Sequence, residues 1–162
     1  MIVLLSHKAG LRAGEIAKLT WPMVLDSDGR VGDTIQLHDI AAKKRSGRVI
    51  PMHPLLRAAI VRLRESSGDG SIHIIRSERG SHAMRASSVV NHFARLYREL
   101  GLEGCSSHSG RRTFITRAAR AVFKCGGSLR DVQQLAGHSS IDQTQAYIEG
   151  DSLAKRRLVA MV

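Results

Sequence analysis

Helical periodicity is the pattern that most restricts this chain. Between residues 86 and 100, Val89, Val90, Phe93, Leu96, Tyr97 and Leu100 recur at i, i+3 and i+4, which is one face of a 3.6-residue helix. Residues 54–65 repeat the pattern with Leu55, Leu56, Ala59, Ile60 and Leu63. A third run, 108–123, sets Phe114, Ala118, Ala121 and Val122 on one side and stops at "CGG", where glycine tolerates the left-handed conformation that ends helices. Shorter helices are predicted over 1–8, 12–19, 128–136 and from 141 onward. Gly10 ends the first of these, and Ser128 caps the third. Strand-like alternation is confined to one region. "TIQLHDI" (34–40) puts Ile35 and Leu37 on one face, and "RVIPMH" (48–53) returns after a basic loop, "AAKKRSG". Pro51 lacks a ladder donor, so its strand lies at a sheet edge or ends there. "IHII" (72–75) is either a strand or a buried extended segment. The fold class is mainly α with a small antiparallel β-sheet, α+β.

A length of 162 residues suits one domain spanning 1–162. The apolar start, Met1 to Leu5, is too short for a signal or membrane segment. It reads as the tail of a helix whose beginning is missing. Lys and Arg number 25 against 14 Asp and Glu, a net charge of +11. That excess attracts polyanions, with nucleic acid first among them. Cys105 and Cys125 build no disulfide framework and suit a reducing, cytoplasmic setting. Their spacing to His108 and His138 matches neither usual zinc pattern, so no metal or cofactor is expected.

Three groups of residues are candidates for chemistry. His108 and Arg111 lie three apart at a helix start, so they are neighbours on one side of it. Arg112 lies four from His108, and spacing alone does not choose between the two arginines. An inward guanidinium needs an anion, whether an internal carboxylate or a ligand. His138 and Tyr147 are nine residues apart in "HSSIDQTQAY", on opposite faces of any continuous helix. The "GHSS" break changes this: Ser139 and Asp142 form an S-x-x-D helix start, so His138 precedes the helix, Tyr147 lies two turns inside it, and both can face one cleft. Taken alone, the pair also fits a satisfied loop histidine and a packing tyrosine. Finally, Lys43, Lys44, Arg45 and Arg48 make a basic loop suited to phosphate contacts.

The order of these pieces is more specific than any of them alone. "GLRAGEI", a lysine-bearing hairpin ending in "RVIP", "HSGRRTF", "LAGHSS" and then Tyr147 together resemble the catalytic domain of the tyrosine recombinases, the phage-integrase family, from about residue 4 to 148. The resemblance implies catalytic roles for Arg12, Lys43, His108, Arg111, His138 and Tyr147, and a supporting role for Glu15. Lys43 takes the general-acid position because it lies eight residues before Pro51, with Lys44 as its rival. Lys44, Arg45, Arg48 and Arg112 are the expected DNA contacts. Gly110 and Arg112 stand where members often carry leucine and histidine.

The implied chemistry suits these residue types. Cutting a phosphodiester without metal needs fixed positive charge on its non-bridging oxygens, and arginines supply it in bidentate form. The tyrosine hydroxyl attacks, a lysine protonates the leaving 5′-oxygen, and a 3′-phosphotyrosine link conserves the bond energy without ATP. The expected partners are double-stranded DNA and further protomers on it, four in a recombination complex, and no membrane. A bacterial or phage protein near the nucleoid is the implied setting. Other readings are a type IB topoisomerase-like relaxing activity and a non-catalytic DNA-binding remnant. The family's N-terminal DNA-binding domain is expected to be absent, and 153–162 to be a helix that docks on a neighbouring protomer or packs on its own domain.

Overall fold

The computed structural model describes residues 1–38, 47–67, 71–77, 82–147 and 159–160. They fall into two compact units, Met1–Phe114 and Ile115–Val162.

In the first unit, α1 (Ile2–Ala9) buries Ile2, Leu5, Ser6 and Ala9 and ends at Gly10, whose φ of 64° is left-handed. α2 (Ala13–Ala17) is shorter than predicted. Arg12 is its extended N-cap, and Lys18 already leaves helical geometry. After a 3₁₀ turn at Trp21–Met23, β1 (Thr34–Leu37) pairs antiparallel with β2 (Arg48–Pro51). Ile35 faces Ile50 and Leu37 faces Arg48. β2 stops before the predicted residue 53 because His53 turns to cap α3 (Pro54–Ser66), its Nδ1 accepting the Leu55 N–H at 3.2 Å. The predicted basic hairpin loop lies in 39–46, outside the described residues.

α3 buries only Leu56 and Ile60, while Leu55 is 59% exposed. α4 (Ala86–Glu99) likewise buries Val89, Phe93 and Tyr97, leaving Val90 and Leu100 exposed. Both corrections have one cause: the buried seam follows i, i+4, i+8 and is narrower than the predicted stripe. α3 packs on α1, and α4 packs on α2. The 72–75 segment runs alongside residues 19–21, with Ile74 and Ile75 buried and Ile72 exposed. Trp21 N–H donates to the Ile72 carbonyl at 2.9 Å, and Ile74 N–H to the Leu19 carbonyl at 3.0 Å.

α5 (Ser109–Ala121) buries Gly110, Arg111, Ile115 and Ala119. The predicted stripe is therefore displaced by one residue, about 100° around the helix. Phe114, Ala118 and Val122 are half-buried, and Ala121 is exposed. The helix also ends before 123: Val122–Cys125 tightens to 3₁₀ and stops at Gly126.

In the second unit, α6 (Leu129–Ala136) starts as predicted at Ser128. The Asp131 carboxylate accepts from Ser128 N–H at 2.7 Å and from its hydroxyl at 2.9 Å. Gly137 ends α6 in the left-handed region. α7 (Asp142–Gln145) begins where expected but without the expected cap. Its N-cap is Ile141, and the Ser139 hydroxyl instead accepts from Gln143 Nε2 at 3.1 Å. Of the predicted helix 153–162, only 159–160 are described.

Candidate active site

The first unit brings two predicted residues, Arg12 and Arg48, to the buried carboxylate of a third, Glu15. Glu15, the third residue of α2, is 1% exposed. Its Oε2 accepts the Arg12 backbone N–H at 2.9 Å, satisfying a donor left open at the helix start. Its Oε1 accepts from Arg12 Nη1 at 2.7 Å. Arg48 closes the cluster with a fork: Nη1 to Oε1 and Nη2 to Oε2, both at 3.0 Å. Burial pulls the Glu15 carboxyl upward, but the hydrogen bonds and charge of Arg48 and Arg12 outweigh it and hold it below the usual carboxylate range. Of the two guanidiniums on this carboxylate, Arg12 is the more exposed.

Arg48 was expected as a DNA contact. Its side chain is 6% exposed and committed to Glu15, so the structure gives it an internal partner instead. The sequence carried a signal for this. Arg48 is two residues before buried Ile50, on the same face of a period-2 strand, and an inward arginine requires a carboxylate.

His108 and Arg111 lie at the start of α5. His108 is exposed, and its carbonyl accepts the Arg112 N–H at 2.8 Å. Arg111 is 4% exposed, and its Nη1 donates to the Gly10 carbonyl at 2.6 Å. Its guanidinium thus meets the chain two residues before Arg12. Arg112 points outward and is exposed, so burial separates the two arginines that spacing left equal. Gly110 explains itself here. A Cβ at that position would lie 2.5 Å from Ser6 Oγ and 2.6 Å from His7 Nδ1, so glycine is what lets these two α1 side chains lie against α5 undisturbed.

The second unit holds the other pair. His138 and Tyr147 stack, with ring centroids 5.7 Å apart and planes inclined by 21°. Tyr147 lies just beyond α7 and not two turns inside a helix; its N–H donates to the Thr144 carbonyl at 3.2 Å. The His138 backbone is fixed by the end of α6, donating to the Gln133 carbonyl at 3.1 Å and accepting from Gln133 Nε2 at 3.2 Å. The His138 ring is fixed by Thr144, whose Oγ1 is 2.9 Å from Nδ1. Sequence reasoning missed Thr144, although it stands three residues before Tyr147, at the spacing that makes helix neighbours. Lys43, Lys44 and Arg45 lie outside the described residues.

This architecture is shared by solved recombinases and integrases. The XerA recombinase structure superposes with a TM-score of 0.73 over 99% of this chain and 56% of that one, at 23% identity. The Tn1549 transposon integrase in complex with a circular intermediate DNA gives 0.76, also over 99% and 56%, at 22% identity. A lambda integrase dimer bound to a COC′ core site gives 0.71 over 93% and 52%, at 18% identity. The phage integrase family model matches residues 1–152, and the chain belongs to that family. Among curated relatives, the tyrosine recombinase XerC of Brucella suis biovar 1 (strain 1330) is 26% identical over 93% of this chain and 46% of its own length. The XerC of Rickettsia prowazekii (strain Madrid E) is 28% identical over 91% and 46%. The chain thus spans about half the length of the curated relatives it matches.

Proposed function

We propose that this chain is a single catalytic domain of a site-specific recombinase or integrase, breaking and rejoining DNA strands through a 3′-phosphotyrosine intermediate without metal or ATP. The observation that carries the reading is the stacked His138–Tyr147 pair in a chain whose family match spans 1–152. Arg12, held by Glu15, and Arg111 supply always-charged donors for the non-bridging phosphate oxygens, and His108 adds another. Tyr147 Oη bonds to phosphorus as its proton leaves to water or to His138. The bond from phosphorus to the 5′-oxygen breaks, and Lys43 gives that oxygen a proton. Rejoining is the reverse, with a 5′-hydroxyl attacking the phosphotyrosine. Duplex DNA, held through phosphates by the remaining cations such as Lys44, Arg45 and Arg112, is the substrate. Further protomers, four in the recombination complex, supply the exchanging strands.

A nicked duplex that traps cleavage tests this. The wild-type chain forms a covalent protein–DNA adduct and Tyr147→Phe forms none. An adduct that persists in Tyr147→Phe refutes the nucleophile, and no adduct with wild type refutes the enzymatic reading.

A further inference from the structure

We infer that Gly10 is a positioning residue for the proposed reaction: it seats α5 against the chain that carries Arg12 and anchors the Arg111 guanidinium there. The inference rests on the phosphotyrosine reading and gives Gly10 a part beyond ending α1. Three observations meet at this residue. Its backbone is left-handed, with φ 64° and ψ 24°. Its carbonyl accepts from Arg111 Nη1 at 2.6 Å, in a buried bond between positions 101 residues apart. Its bare Cα faces the Phe114 ring: an added Cβ would run into Cδ1 and stand 2.9 Å from Cε1 and 3.1 Å from Cγ.

Both contacts come from one side of α5. Phe114 is three residues after Arg111, so the ring and the guanidinium belong to neighbouring turns. α5 therefore meets Gly10 twice, once at its carbonyl and once at its Cα. The chain around Gly10 is equally fixed. The N–H groups of Gly10 and Leu11 both reach the Leu5 carbonyl, and Leu11 is fully buried. Arg12 follows at once. Its N–H lies on Glu15 Oε2 at 2.9 Å, and its carbonyl accepts the Ile16 N–H at 2.9 Å. A displacement of α5 at Gly10 is thus a displacement of Arg111 relative to Arg12.

Glycine is what permits this seat. The left-handed backbone directs the Gly10 carbonyl at Arg111, and a residue with a Cβ favours the right-handed region, which turns that carbonyl elsewhere. A Cβ also presses on the Phe114 ring from Cγ outward. The strained backbone and the pressed ring act on one bond, the anchor of the guanidinium to the main chain. In the proposed reaction that anchor holds a donor ready for a phosphate oxygen before charge develops on it.

Gly10→Asn tests this, because asparagine tolerates the left-handed region while its Cβ still meets Phe114. Arginine-labelled chain is read first without DNA by side-chain ¹⁵N spectra, with Arg111→Lys assigning the signal. Wild type should show slowed rotation of the Arg111 guanidinium, and Gly10→Asn should lose it. On saturating trapping duplex, Gly10→Asn should cleave at least about tenfold slower than wild type. Against Phe114→Ala alone, the double variant Gly10→Asn, Phe114→Ala should recover most of that loss, as coupled neighbours do. On a duplex whose scissile phosphate is a methylphosphonate, the Gly10→Asn defect should shrink to within about threefold, because an uncharged group at phosphorus asks less of a guanidinium. A merely structural fault would slow both duplexes alike. An unchanged Arg111 signal in Gly10→Asn, or an equal defect on the two duplexes, overturns the inference. Should Gly10→Asn fail to fold, the wild-type spectrum decides it: slowed rotation supports the anchor and a freely rotating Arg111 refutes it. If wild type cleaves neither duplex, the phosphotyrosine reading falls, while the spectra still decide whether Gly10 anchors Arg111.

Discussion

Glu15 and Arg48 are joined through both carboxylate oxygens and both terminal guanidinium nitrogens, each contact 3.0 Å, although 33 residues separate them in the chain. The pair ties β2 to the helix start that carries Arg12. Both side chains are nearly excluded from solvent, so removing Arg48 takes away two of the charged hydrogen bonds that offset the burial of Glu15 and leaves the carboxylate to Arg12. Arg48→Ala is expected to lose about 3–5 kcal/mol of stability in urea denaturation, the usual result of breaking a buried ion pair. Arg48→Lys should recover only part of it, since an ammonium cannot reproduce the planar fork.

The same carboxylate predicts how stability depends on pH. Arg48 and Arg12 hold the folded Glu15 below its ordinary value of 4.5 despite the opposing effect of burial. A depressed folded pKa means the unfolded chain binds the proton more readily. The contribution of Glu15 is therefore fully present above 4.5 and fades as pH falls through the lower, folded value. Glu15→Gln removes it. Wild type and Glu15→Gln should differ in thermal midpoint near neutral pH, and the gap should narrow as the medium is acidified below 4.5. A gap that stays constant across that range would assign the stabilisation to something other than the charge on Glu15.

Which features were legible in the sequence depended on how local their physics is. Gly10 and Ser128 mark helix ends through their own backbone and side-chain chemistry, and both fall where predicted. The strand pair was legible because alternation and Pro51 act over a few residues. Leu55 and Val90 were misassigned because periodicity shows which face is apolar, while the width of the buried seam depends on what packs against it. α5 was displaced by a residue for a related reason. The stripe was drawn through Phe114, but the packed face runs through Gly110 and Arg111, which look polar or featureless until the partner at Ser6 and His7 is known. Strand alternation with Ile50 encodes the inward face of Arg48 but not its carboxylate partner, and the contact of Thr144 with His138 is one side-chain meeting that no periodicity encodes.

Two glycines on helices should respond to alanine in opposite ways. At Gly110 an added Cβ meets Ser6 Oγ and His7 Nδ1 at 2.5 Å and 2.6 Å, so Gly110→Ala must displace those side chains or the helix that carries them. A loss of about 1–3 kcal/mol is expected, as for other overpacked sites. At Gly14, inside α2, nothing lies within 4 Å of the new Cβ. Gly14→Ala should gain about 0.5–1 kcal/mol through helix propensity and a less flexible unfolded chain. Chemical denaturation of both variants against wild type checks the pair, and the sign of the difference is the decisive reading.

Arg111 and Arg112 are adjacent in sequence and should fail differently. Arg111 is buried, with its Nη1 on the Gly10 carbonyl, and in the proposed reaction it stabilises charge on the phosphate. Arg111→Lys keeps the charge but loses the planar donor set, so adduct formation on the trapping duplex should fall by about a hundredfold or more, in line with losing one preorganised donor at a reacting centre. Duplex affinity should change much less. Arg112 is exposed and its proposed contact is to a phosphate outside the reacting centre. Arg112→Ala should weaken duplex binding at every sequence and lower the slope of log affinity against log salt by about one. Once DNA is saturating, its cleavage rate should return to that of wild type. A cleavage defect in Arg112→Ala that survives saturation would move Arg112 into the reacting centre, and an unchanged rate in Arg111→Lys would remove Arg111 from it.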